Sequence, residues 1–417
     1  MTLSQAQQLD LHDPLANFRN QFYIPQYQNQ DLVYLVGNSL GLQTKNCKNE
    51  LNLELEKWQN LGVEAWFEGQ NPWIPYHEIL KKPLCRLLGA RETEITVMNS
   101  LTVNLQLMLM SFYKPNQQKF KILCETGAFP SDQYALESHL KARGLDPEQC
   151  LIEINPDPTT GLLRTDDILE AVNIHQNELA LIMLGGVNYY TGQVLAMQKI
   201  TKLANDLDIT IGFDLAHAIG NVPLQLHDWG IDFAVWCSYK YLNTGPGGIA
   251  GAFIHQKHHD KNLERLAGWW GYDQATRFEM TKGFVPMQGA DGWQLSTPNI
   301  LAMASHKAAL NLFELAGFEN LLLKSEQLHQ YLREIIEQYP QIEILTPKPN
   351  HEHGCQLSLL INENGKEVFE QLKTRGIWGD WREPNCIRLS PVPLYNSFLD
   401  IYKVGKALES IFNGLTN

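Results

Sequence analysis

Between residues 95 and 255 the chain alternates short β-rich runs with stretches of helical pattern. The runs are "EITVMN", "FKILCE", "CLIEIN", "LALIMLGGV", "ITIGFD", "FAVWCS" and "IAGAFIH". Strands that alternate with helices close into a mostly parallel sheet with helices on both faces. Sheets of this kind hold ligands in the loops beyond the carboxyl ends of their strands. The residues that do chemistry are therefore expected where these runs stop.

The rest of the chain divides around that core. Residues 1–50 read as an N-terminal arm with the turn "VGNSLGLQ", residues 51–305 as the large domain, and residues 306–417 as a smaller α+β domain. In the last of these, Leu322, Leu328, Leu332, Ile335 and Ile336 fall at helical spacing and Pro340 ends the helix. A net charge of −13 argues against a nucleic-acid or anionic membrane partner and leaves a small molecule. Seven scattered cysteines without a CxxC pair read as reduced thiols. The N-terminus carries no targeting pattern, and no run approaches the roughly 18 apolar residues of a membrane span. A cytoplasmic protein is expected.

Polar residues gather at the strand ends. In "EITVMNSLTVNLQLML", Asn99, Ser100 and Thr102 stand where a helix N-terminus favours a phosphate, although an ordinary N-cap uses the same residues. "FKILCETGAFPSDQYAL" repeats the plan, with Phe129 in the loop and Ser131 and Asp132 at the helix start. "ITIGFDLAHAIG" ends a strand in Asp214, with His217 three residues later. Lys240 follows "FAVWCS" between Tyr239 and Tyr241. Aromatic and small neighbours point to a desolvated amine, which lowers a lysine pKa from about 10.4 and makes it nucleophilic. Each piece alone has a plain structural reading. The ordered set (phosphate cradle, aromatic loop, carboxylate for a ring nitrogen, lysine for an aldehyde) fits pyridoxal 5'-phosphate.

Two other motifs compete. "GPGGIA", Gly245 to Ala250, matches a dinucleotide fingerprint, which must open a helix; the β-like "IAGAFIH" comes next instead. These glycines read as a sharp turn after Lys240 that brings backbone close to the cofactor. "NHEHGC" offers three zinc ligands without a fourth, so no metal is expected, and His255, His258 and His259 read as a solvated loop.

"YLVGNSLGLQ", "MNSLTVNLQLML", "FPSDQYAL", "GVNYYTGQ", "IRLSPVPLYNSF" and the block from Asp214 to His255 resemble kynureninase, over about residues 33–404. More broadly, the chain resembles fold-type I pyridoxal-phosphate enzymes of the class V aminotransferase group. The resemblance implies hydrolysis of L-kynurenine to anthranilate and L-alanine, and of 3-hydroxykynurenine to 3-hydroxyanthranilate and L-alanine. These reactions belong to tryptophan degradation and NAD biosynthesis. It also implies a homodimer with active sites at the subunit interface, and an arm that packs with the small domain and the active site.

By the same resemblance, Lys240 bonds the cofactor, Asp214 pairs with its ring nitrogen, and Phe129 stacks on the ring within a cofactor segment that includes Pro130, Ser131 and Asp132. Leu101 through its backbone, Thr102 and Tyr239 hold phosphate, Tyr239 doubling as a candidate proton donor, and His217 sits beside the cofactor. Trp269 and Thr297 reach the site from the second subunit, Arg388 clamps the substrate α-carboxylate, and Ser39 lines the substrate pocket. Thr-bearing bacterial relatives tend to prefer kynurenine over the 3-hydroxy compound, which Thr297 carries over as an expectation. Two departures stand out. Gly185 replaces a small hydroxyl residue of some relatives. A pocket histidine of some members has no counterpart in "GVEAWFEGQNPW", where Trp66 or Trp73 would fill the space. The nearest rival, a cysteine desulfurase, needs a mobile thiol before Arg388, and "KTRGIWGDWREPN" has none. A generic aminotransferase is a weaker alternative, and a non-catalytic descendant would have lost Lys240, Asp214 or Arg388.

Overall fold

The computed structural model describes residues 2–415. Each of the expected runs forms a strand: β1 (Ile95–Val97), β2 (Lys121–Glu125), β3 (Leu151–Ile154), β4 (Leu179–Gly185), β5 (Thr210–Asp214), β6 (Phe233–Trp236) and β7 (Gly251–Ile254). They form one seven-stranded sheet in the order β1-β7-β6-β5-β4-β2-β3. Strands β3, β2, β4, β5 and β6 pair in parallel, and β7 runs antiparallel to both β6 and β1. Antiparallel neighbours need no crossover helix. The β6–β7 connection is accordingly a loop, and Lys240 lies in it just past the end of β6.

Side-chain alternation explains why this sheet is buried on both faces. Along β4, Ile182 and Leu184 join one apolar cluster, with Ile211, Phe213 and Trp236; Leu181 and Met183 join the other, with Phe233 and Val235. The chain leaves β2 toward β3 on one side and leaves β4 toward β5 on the other. That reversal opens a crevice at the carboxyl ends of β2 and β4, the usual ligand position in such sheets.

The smaller unit is a four-stranded antiparallel sheet of β8 (Glu343–Ile344), β9 (Leu357–Leu360), β10 (Asp380–Arg382) and β11 (Cys386–Leu389), ordered β8-β9-β11-β10. Its core joins Leu357, Ile387 and Leu389 to Leu328, Leu332 and Ile336 of the helix Phe318–Ile336 and to Ile401 and Val404 of the last helix. The preceding helix, Ile300–Ala316, instead buries Met303, Ala304, Leu310 and Phe313 in the large-unit core, and Gly317 at φ +76° separates the two helices. The 305/306 boundary expected from the sequence falls inside that helix. Among the described residues, no helix is long and apolar enough to cross a membrane.

The arm bridges both units. Val33–Tyr34 pairs in parallel with Ile377–Trp378, and Val33 and Leu35 enter the small-unit core. On the other side, Gly41 N–H donates to the Tyr239 carbonyl oxygen at 2.8 Å. A Cβ on Gly41 would collide with the carbonyl oxygen of Lys240 and with Asn243. Backbone cannot yield as a flexible side chain does, so Gly41→Ala is expected to cost about 1–3 kcal/mol of stability. Chemical denaturation of the variant checks this, and an unchanged midpoint would contradict the close approach.

Candidate active site

A cleft of about 540 Å³ opens at the carboxyl ends of β2, β4, β5 and β6. Leu101, Thr102, Phe129, Ser131, Asp132, Asp214, His217, Tyr239 and Lys240 line it, as do Glu125, Gly185, Val187, Tyr189 and Ala216. Residues separated by more than a hundred positions meet here because parallel strands end side by side.

At one end two helices start. Ser100 occupies the N-cap of the helix Leu101–Phe112 without making a side-chain cap, so the first-turn N–H groups are left to an anionic ligand. Asn99, at φ +51°, turns its amide to Asn104 instead. The helix Pro130–Ala142 likewise starts without a side-chain cap, at Phe129. Pro130 at its first position sacrifices no helical N–H bond; it contributes to the helix start and does not line the cleft. The hydroxyls of Thr102 and Ser131 meet at 2.7 Å between the two helices.

Carboxylates form the opposite end. Asp214 is buried and accepts the Ala216 N–H at 2.7 Å. Burial raises the pKa of Asp214, and burial followed by the neighbouring Asp214 charge raises that of Asp132 well above its ordinary value. The hydrogen bond between their carboxyls raises Asp132 further and pulls Asp214 back down, so Asp132 is the proton holder of the pair. Glu125, at the end of β2, is a third buried carboxyl, pushed up by burial. It accepts N–H bonds from Gly185 at 3.3 Å and from the Asn188 amide at 3.0 Å. A Cβ on Gly185 would lie 2.9 Å from Glu125 Oε1. Glu125 thus fills the space into which a side chain at residue 185 would project. Sequence reasoning passed over Glu125, although it ends its strand as Asp214 ends β5.

Lys240 sits between these ends, 9% exposed. Its Nζ lies 5.6 Å from the Phe129 ring centroid and 6.0 Å from that of Tyr239. Burial, followed by neighbouring Cys237, raises the Tyr239 hydroxyl well above its usual pKa, and it stays protonated. Burial and the cations Lys240, Arg388 and Arg382 lower His217, which is neutral at pH 7. His217 Nδ1, Asp132 Oδ1 and Ser238 Oγ are buried without a hydrogen-bond partner. Orphaned polar atoms, open helix starts and a free amine opposite a carboxylate together fit a phosphorylated pyridine aldehyde.

Other expected residues lie outside the cleft lining. Arg388 on β11 is 1% exposed and donates through Nη1 to the Tyr189 carbonyl at 2.5 Å, one residue layer behind the cleft. Ser39 donates to Asp380 at 2.5 Å beside it. Thr297 is exposed, and Trp269 is 43% exposed with its ring against Trp270 and Phe278. Trp66 and Trp73 pack on each other at 5.2 Å, and Trp66 on Trp270 at 5.5 Å; neither lines the cleft.

Two readings need correction. Gly245, Gly247 and Gly248 do make the turn, with φ of +88° at Gly245 and +66° at Gly247, but they line a separate groove with Tyr23, Leu40 and Leu301, not the cleft. The turn leads into β7, so the dinucleotide motif lacks its helix. His255 and His258 are not solvated: both are buried, His258 against Asp232 at 2.7 Å and His255 against the His227 carbonyl at 3.1 Å. The "NHEHGC" residues also diverge, since His353 stacks on His329 at 3.7 Å while His351 is exposed and Cys355 lies beside Tyr241.

Residues 321–408 match the family model described as the kynureninase C-terminal domain. The chain is 46% identical over 414 residues to a kynureninase of Flavobacterium psychrophilum, covering 98% of this chain and 97% of that one. It is 48% identical to one of Xanthomonas campestris pv. campestris, covering 98% of each, and 47% identical to one of Myxococcus xanthus, covering 97% and 96%. Among solved structures, it is similar to an apo cysteine desulfurase from Thermococcus onnurineus NA1, with a TM-score of 0.76 at 17% identity and 98% coverage of both chains. It is also similar to a C-DES mutant with glycine covalently linked to the PLP cofactor, with a TM-score of 0.78 at 18% identity, covering 94% and 98%. At such identities the solved structures show the fold alone.

The carboxyl pair predicts a pH effect. Asp132 binds its proton more tightly when folded than at its ordinary value of 3.8. Its stabilising contribution is fully present below that value and is lost as pH rises through the folded pKa. In the cofactor-free protein, Asp132→Asn should therefore unfold at a higher temperature than wild type at pH 8, and the difference should vanish near pH 4. An equal difference at both pH values would contradict the shared proton.

Proposed function

The chain belongs to the kynureninase family, and we propose a role for each cleft residue in that family's reaction. The protein is a pyridoxal 5'-phosphate enzyme that hydrolyses L-kynurenine to anthranilate and L-alanine. One observation carries the assignment of roles: a buried amine stands between an uncapped helix N-terminus and a buried carboxylate.

The open first-turn N–H groups at Leu101, with Thr102, Ser131 and the Tyr239 hydroxyl, hold the phosphate. Phe129 would hold the ring, and His217, neutral in its buried setting, would add no competing charge beside it. Asp214 keeps the ring nitrogen protonated. Asp132 holds the remaining proton of the carboxyl pair, which leaves Asp214 free to carry the negative charge. When bound, the cofactor supplies an electron sink for charge that develops at the substrate Cα. Lys240 would hold the cofactor through its aldehyde and, once released as a free amine, would take and return the proton at the substrate Cα. Tyr239, protonated by burial, serves either as a proton donor to the substrate carbon or as a phosphate ligand alone. Arg388 binds the α-carboxylate with Ser39 alongside.

The surface supports a homodimer. Phe67, Phe278 and Trp269 are exposed and pack ring against ring, an apolar surface that favours burial against a second copy. Trp269 and Thr297 then reach the second subunit's cleft, and Thr297 favours L-kynurenine over 3-hydroxykynurenine. The free thiols agree with a cytoplasmic setting. A cysteine desulfurase shares the fold, but burial pushes the Cys355 and Cys386 thiols up to about 12, far from a nucleophilic thiolate at neutral pH.

Steady-state turnover of cofactor-loaded protein tests this reading. It should show a higher kcat/KM for L-kynurenine than for 3-hydroxykynurenine. Lys240→Ala should abolish turnover, and Tyr239→Phe should lower kcat by about 10²-fold or more if the phenol donates a proton. No turnover of either substrate would sink the assignment, and unchanged kcat in Tyr239→Phe would leave Tyr239 as a phosphate ligand.

A further inference from the structure

Behind the Tyr189 wall of the cleft, Arg388 and Ser39 belong to a charge cluster whose other members, Asp380 and Arg382, the roles above leave unexplained. Arg388 and Asp380 are direct cross-strand partners on β11 and β10. Asp380 takes the Nε–Nη2 edge of the guanidinium with both oxygens, Nε at 2.6 Å. On the other edge, Nη1 donates to the Tyr189 carbonyl at 2.5 Å, and Nη2 has a longer contact, 3.2 Å, with Ser39 Oγ. Ser39 also donates to Asp380, and Arg382 approaches the same carboxylate at 3.4 Å. Arg382 Nε is buried without a partner. Both arginines lower the pKa of cleft-lining His217, so their field reaches the site.

We propose that Asp380 is the positioning residue for Arg388, and that Arg382 supplies the second positive charge of the subsite for the substrate α-carboxylate. The inference rests on the kynurenine-cleaving function proposed above. A guanidinium offers two forks of N–H donors in one plane. With one fork fixed by Asp380, the plane cannot rotate, and Nη1 is aimed at the carbonyl of Tyr189, a residue that lines the cleft. Two guanidiniums against a single carboxylate leave one positive charge uncompensated, and an incoming α-carboxylate neutralises it. The pairing of β10 with β11 sets Asp380 and Arg388 directly opposite each other. Ser39, on the arm, supplies the hydroxyl beside the bound carboxylate.

The test compares L-kynurenine with its decarboxylated analogue, in which hydrogen replaces the α-carboxylate, on the holoenzyme. Asp380→Asn should raise KM for kynurenine about tenfold or more while kcat stays within about threefold. The inhibition constant of the decarboxylated analogue should stay unchanged, and Asp380→Glu should recover part of the loss. Arg382→Gln should show the same pattern more weakly, and it serves if Asp380→Asn does not fold. An unchanged or lowered KM, or an equal loss for both ligands, would overturn the proposal. Calorimetric binding of L-alanine against ethylamine repeats the comparison without turnover. The subsite is thereby judged even if the wild type fails on kynurenine, an outcome that would count against the function alone.

Discussion

Three buried carboxyls, Asp132, Asp214 and Glu125, line one cleft with a single lysine, Lys240, and the surrounding fold is arranged to make that imbalance bearable. Leaving three buried carboxylates charged with one cation would cost more than their attraction returns. The structure meets this in three ways. Asp132 retains a proton against Asp214, Glu125 spends its oxygens on N–H groups of Gly185 and Asn188, and Lys240 draws Asp132 and Asp214 toward the charged form. The remainder is an Asp214 carboxylate able to pair with a protonated ring nitrogen. The strand ends of β2, β5 and β6 bring these groups together.

The same floor is tied to the substrate side through continuous polar contacts. Glu125 binds the Asn188 amide, the next residue's carbonyl accepts from Arg388, and Arg388 is held by Asp380, which Ser39 joins from the arm. Gly41, two residues beyond Ser39, closes the circuit by bonding Tyr239 beside Lys240. The arm is therefore part of the site's geometry. It contacts the Lys240 loop on one side and the proposed carboxylate subsite on the other.

This arrangement also decides how much the sequence could reveal. Lys240 and Asp214 were legible because Asp214 ends an apolar strand and Lys240 closely follows one, a local signal. The seven strands were legible for the same reason. Glu125 also ends a strand, but a glutamate there looks like any solvated strand end, and only the packing of Gly185 shows why it is buried. Asp380 was not legible, because its partner is eight residues away on a neighbouring strand and the pairing exists only in register. His255 and His258 resembled a solvated loop because Asp232 and His227, which bury them, come from other elements. Trp269 and Thr297 lie outside their own chain's cleft, and no pattern within one chain could bring them to it.

The central claim is that Lys240, and no other lysine, is the amine that the cleft presents to its cofactor. Borohydride reduction of the pyridoxal 5'-phosphate-loaded protein, followed by digestion and mass spectrometry, tests it directly. The account predicts a single phosphopyridoxyl adduct, on the peptide that contains Lys240. An adduct on a different lysine, or none on that peptide, would contradict it.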